Sequence, residues 1–147
     1  MSHVNEDEDG SALIEFVWLA ILLMVPLLYI LISVFDVQRG AFAVSSASRS
    51  AGRAMVLADS EAEGRRSARA AAELAMADQG IDDGKINLDI SCSFGPGRCL
   101  EPGSVVTVVL RSQVKLPLAP AILGGGAPSF RVESVHRVPY GTYREAR

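Results

Sequence analysis

Three groupings in this 147-residue chain have residue types and spacings suited to chemistry. Cys92 and Cys99 bracket Ser-Phe-Gly-Pro-Gly-Arg, whose Gly-Pro-Gly centre favours a tight turn with its ends close together. In an oxidising compartment two thiols so placed close a local disulfide; in a reducing one they remain two partly buried thiols. Zinc is the third possibility, but a structural zinc takes about four ligands, and His3 and His136 are the only histidines. His136 is also the one general-base candidate outside the N-terminal leader. It lies in an alternating segment beside Arg137, where an isolated histidine is far more often structural than catalytic. The third group is Glu15, a carboxylate at the mouth of a long apolar run, costly there unless it is paired or interfacial.

Enzymatic signatures are missing. There is no H-E-x-x-H, no nucleophile-elbow serine and no glycine loop between a strand and a helix; Gly124, Gly125 and Gly126 follow an apolar loop. The expectation is a non-enzymatic protein without cofactor or metal. The formal charge of -3 is concentrated in the leader, where Glu6, Asp7, Glu8 and Asp9 contribute -4 with no basic residue, so residues 11–147 carry +1. Scattered basic residues and few aromatics give no footprint for nucleic acid.

Residues 16–35 are twenty consecutive uncharged, mostly apolar residues. At about 1.5 Å per residue they match a ~30 Å hydrocarbon core, so a lipid bilayer is the first partner expected. A secretory signal fits less well: the leader is acidic, the run is long, and Ala41-Phe42-Ala43 is a triplet common in alanine-rich helices. Pro26 lies inside the run and predicts a kink or a loosened turn. No linker follows. In residues 37–58, rich in Ala, Ser and Gly, the positions Val44, Ala47, Ala51, Met55 and Ala58 recur at helical spacing, so the span is expected to continue as a helical stalk. That small-residue face suits either a neighbouring helix or the chain's own domain.

A second helix is expected over residues 60–80, opened by a Ser60/Glu63 capping box and stopped by Gly80. Its Arg65, Arg66, Arg69 and Glu73 read as a solvated face. After Gly84 the period changes to two in residues 86–92, 106–114 and 129–138, implying a small antiparallel sheet that the second helix could cover. The fold class expected is α+β: an acidic leader (1–10), a transmembrane helix (11–36), a helical stalk (37–58) and an α+β head (59–147). Between the last two strands, residues 116–129 form an apolar connection broken by prolines and glycines, tucked over the sheet or offered to a partner.

At Gly-Ser-Ala-Leu-Ile-Glu-Phe, residues 10–16, the chain resembles the type IV pilin superfamily, and most closely the TadE-like pseudopilins and minor pilins of the tight-adherence (Tad) pilus system. The residues that carry the likeness are Gly10, Ser11 as the first mature residue, Glu15 as the fifth, and Phe16 after it. Arg49 and Arg53 in the small-residue stalk extend it, and further on it is a likeness of architecture. The resemblance implies cleavage between Gly10 and Ser11 by a prepilin peptidase. It also implies assembly with other pilins and pseudopilins on a membrane platform, Glu15 pairing with the new Ser11 amine of a neighbouring subunit. It implies a single-pass cell-membrane protein with a cytoplasmic N-terminus and an extracytoplasmic head, with or without incorporation into a pilus. One feature departs from it: prepilin leaders are usually basic, and here Arg39, Arg49 and Arg53 lie beyond the span, so positive-inside counting puts the head in the cytoplasm. The alternative expectation is an unprocessed single-pass membrane protein whose head binds or scaffolds a partner.

Overall fold

The computed structural model describes residues 7–81, 86–115 and 129–143. Within them are two helices, α1 (Asp7–Leu57) and α2 (Glu61–Ala77), then three strands, β1 (Asn87–Cys92), β2 (Val105–Lys115) and β3 (Ser129–Pro139). The fold is α+β, as the change of period after Gly84 predicts. Residues 1–6 of the acidic leader and residues 116–128 of the apolar connection lie outside the described residues. The chain divides after Phe35 into two compact units.

In the N-terminal unit, α1 carries the one stretch among the described residues long and apolar enough to cross a membrane, and none of that stretch is buried. The core helix of a soluble domain is mostly buried instead. α1 stays helical through Pro26. Ser33 hides its hydroxyl by donating to the Tyr29 carbonyl at 2.8 Å, a local bond that spares an apolar helix an unsatisfied polar group.

In the C-terminal unit, from Asp36 onward, α1 supplies much of the core. Gly40, Ala43, Val44, Ala47, Ser48, Ala51, Gly52, Met55 and Val56 are all buried, at steps of three and one that hold them on one helical face. That face lies on the sheet. A Cβ at Gly40 would collide with Val114 of β2, and one at Gly52 would lie 2.7 Å from Val138 Cγ2 and 3.2 Å from His136 Cδ2 of β3. Ser48 and Ser134 share a hydrogen bond at 2.9 Å, removing two hydroxyls from an otherwise apolar contact. The small-residue face thus packs on the chain's own domain, and the second helix is not the sheet's sole cover. It lies alongside α1, where a Cβ on Gly64 would come within 2.8 Å of Met55 Sδ, and it reaches β1 through Arg65.

The sheet runs β1-β2-β3, wholly antiparallel. Val106, Val108, Leu110 and Val114 face inward with Ile90 and Val132, while Thr107, Arg111 and Gln113 face outward, the period-two pattern of a sheet covered on one side. Outside, Arg111 and Glu133 are direct cross-strand partners, paired at 2.7 Å. The helix signals hold as well. Ser60 accepts from the Glu63 amide at 3.3 Å. Gly80, at φ 69°, ends the run after α2 in the left-handed region that a side chain disfavours. A Cβ there would also meet the Arg39 guanidinium.

Candidate functional site

Two features carry potential function, one in each unit. Gly10 and Ser11 stand in the first turns of α1, and Ser11 and Glu15, four residues apart, share a helical face. Phe16 is 74% exposed. It opens a shallow apolar hollow lined by Leu19, Ala20, Leu23, Met24 and Leu27, positions at helical spacing, with Ala20 the smallest side chain among them. Among the described residues Glu15 makes no ion pair. The unit therefore offers an apolar surface on which another helix can pack, with one carboxylate at its mouth able to accept an ammonium group.

The second feature is the turn after β1. Cys92 and Cys99 are joined in a disulfide across a Cα–Cα distance of 5.2 Å, so of the alternatives the sequence leaves open the structure shows the disulfide. Gly95 and Gly97 flank Pro96 at φ 91° and 80°, conformations that make the loop tight enough to close. The Gly95 amide donates to the Cys92 carbonyl at 3.1 Å. Arg98 lies over the Phe94 ring, 5.5 Å from its centre, and pairs with Glu101 at 2.8 Å. For a loop spanning seven residues of sequence separation, loop-closure entropy makes the crosslink worth about 2.5 kcal/mol. Reduction, or the Cys92→Ser/Cys99→Ser pair, is expected to lower stability by that amount in urea titration while leaving the helical signal of α1 in place.

Sequence reasoning missed what holds this loop to α2. Arg65 is not merely solvated: it bonds Glu61 at 2.8 Å, donates to the Ile90 carbonyl of β1 at 3.1 Å and lies 4.0 Å from Cys99 Sγ. Partial burial pushes the Glu61 carboxyl up. The Arg65 hydrogen bond, the backbone amides of Gly97 and Cys99 and the Arg65 charge outweigh it and hold its pKa below the ordinary value of 4.5. The only sequence signal was the i,i+4 spacing of Glu61 and Arg65. Arg69 and Glu73, exposed and paired at 3.0 Å, do fit the solvated-face expectation. Because the folded-state pKa is depressed, the Glu61 contribution is fully present above pH 4.5 and is lost as pH falls through the lower folded value. Glu61→Gln is therefore expected to be less stable than the parent at neutral pH and to converge with it on acidification, as followed by circular dichroism melts.

No family model, curated protein or solved structure matches the chain. A functional reading therefore rests on these residues alone. His136 sits half-buried in β3 against Gly52, consistent with a packing role. Among the described residues no three His, Cys, Asp or Glu side chains converge to hold a metal.

Proposed function

We propose that the chain is a structural minor pilin or pseudopilin of a Tad-type pilus or secretion apparatus, cut after Gly10 by a prepilin peptidase and assembled through its apolar N-terminal helix. The observation that carries this reading is α1 itself. One helix, Asp7–Leu57, includes the Gly10–Ser11 bond in its first turns, presents Glu15 and then an unburied apolar surface, and supplies core residues of a small α+β unit from Gly40 onward. The Cys92–Cys99 disulfide supports locating the C-terminal unit outside the cytoplasm, where disulfides persist.

Each residue of the motif then has a physical task. Gly10, without a side chain, lets a protease backbone approach closely. Cleavage creates an α-amine on Ser11, one turn from Glu15 on the same face. Glu15 then neutralises the corresponding amine of a neighbouring subunit at the membrane edge and sets the axial register of the bundle. The test is co-expression with a prepilin peptidase. Gly10→Leu is expected to keep the leader and run as the full-length chain, whereas the parent is shortened; a parent that is never shortened would favour the unprocessed single-pass protein.

A further inference from the structure

We infer that the outer edge of β3 takes an extended acidic segment of another protein as a fourth strand of the sheet. Every group involved lies in the C-terminal unit, so neither a membrane span nor cleavage enters. In an antiparallel ladder successive residues turn their backbone groups to alternate sides, so one hydrogen bond fixes which residues face a neighbour. The Tyr140 amide donates to the Ser104 carbonyl at 2.9 Å, one step beyond the Val105–Pro139 pair. Even-numbered residues of β3 therefore bond to β2. Arg131, Glu133, Val135 and Arg137 turn their amides and carbonyls to the other side, where no strand is paired among the described residues. Pro139, which has no amide to offer, falls in the same outward set, the place where a strand tolerates proline.

The opposite edge of the sheet is closed. The Ser93 amide donates to the Val105 carbonyl at 3.0 Å, which turns the even-numbered residues of β1 outward. That strand has six residues; the Arg65 guanidinium occupies the Ile90 carbonyl at 3.1 Å, and Cys92 is tied into the disulfide loop. β3 has eleven residues and, before Pro139, neither a bulge nor a lysine to blunt it. Its charges name the occupant. Arg131 and Arg137 are exposed on either side of Val135, itself 52% exposed, while Glu133 is already neutralised by Arg111. On α1, Ser48 bonds to β3, Gly52 rests on it and Met55 meets α2. At about 100° per residue, the exposed Arg49 and Arg53 then stand on the flank of α1 away from α2, beside the open edge. None of these four arginines joins an ion pair among the described residues. A row of free backbone groups calls for a strand, and cations around it call for carboxylates on that strand. A second copy of β3 would bring the same cations to the rim, which like-charge repulsion disfavours.

The probe is the peptide acetyl-Glu-Thr-Ile-Thr-Thr-Thr-Glu-amide. Paired antiparallel, it sets its glutamates opposite Arg137 and Arg131 and its isoleucine opposite Val135. Amide exchange of the full chain in detergent is followed by NMR. In the free chain Val132, Ser134, His136 and Val138 are expected to be protected and Arg131, Glu133, Val135 and Arg137 to exchange fast; the peptide is expected to slow the second set about tenfold or more. Protection of the outward set without peptide overturns the inference, since the chain itself or a second copy then fills the edge. Val135→Pro removes an amide that bonds nothing within the sheet and is expected to abolish the added protection, and proline in place of the peptide's isoleucine to do the same against the parent chain. Fluorescence anisotropy that finds either proline form binding as well as its parent would reduce the edge to a basic surface for any polyanion, and absence of parent binding would contradict the pairing outright. The Arg131→Glu/Arg137→Glu pair is expected to weaken binding about tenfold, and a peptide with lysines in place of its glutamates to restore it; loss without restoration counts against the proposed register.

Discussion

Gly52→Leu is expected to destabilise the C-terminal unit by about 3 kcal/mol, on the order of 10–20 °C in melting temperature. The reason is geometric. Even a Cβ at Gly52 would stand 2.7 Å from Val138 Cγ2, inside van der Waals contact, and both sides of that contact belong to regular elements that cannot retreat locally. With total stabilities of about 5–15 kcal/mol typical, such a loss is a large fraction of the whole. Alanine separates the effects: Gly52→Ala gains up to about 1 kcal/mol of helix propensity against the clash, so a net change near zero is expected. At Gly40 the neighbour is Val114, and Gly40→Ala is expected to be partly rescued by Val114→Ala, a coupling of about 1–2 kcal/mol in a double-mutant cycle. Urea unfolding in detergent measures all of these. A Gly52→Leu chain as stable as the parent would mean that α1 does not press on β3.

The second large effect is expected at Glu15. Glu15→Gln keeps the size of the side chain and removes its charge, so membrane insertion and cleavage after Gly10 are expected to be unchanged. Assembly into sedimentable material is expected to fall about tenfold, the effect of losing about 1.4 kcal/mol where the Ser11 amine of a neighbour keeps its charge without a partner. Glu15→Asp, which retains the charge on a shorter arm, is expected to fall between the two. If Glu15 served only its own helix terminus, the loss would be about 0.3–1 kcal/mol and would appear in helix stability. A processed Glu15→Gln subunit that assembles like the parent would remove the register role.

What the sequence made legible follows from how local each signal is. The three strands stand close to where the period-two pattern puts them, the third over Ser129–Pro139 where residues 129–138 are expected, because alternation is set by one buried face. Ser60, Glu63 and Gly80 announce the ends of α2 through contacts within a few residues. The cysteine pair is legible for the same reason, since a Gly-Pro-Gly turn brings its own ends together. What stayed hidden is long-range. Nothing near Gly40, Gly52 or Gly64 in sequence shows that Val114, Val138 and Met55 fill the space beside them. The stripe from Val44 to Met55 reads equally well as a face for a neighbour, and only the register with β2 and β3 decides it. Arg65 looks like its solvated neighbours Arg66 and Arg69 until the Ile90 carbonyl, 25 residues away, is brought to it. Of the N-terminal motif, the sequence shows residue types and helical spacing, and the structure adds the unburied apolar surface beside them.

The central claim is that the Gly10–Ser11 bond marks the start of the mature subunit. The most direct test is the N-terminal residue of the membrane-associated protein, read by intact mass and Edman sequencing from cells that contain a prepilin peptidase. A chain beginning at Ser11, with the ten preceding residues removed, is the predicted result. A membrane-bound chain that still carries those residues would contradict it and leave a single-pass protein with its leader in place.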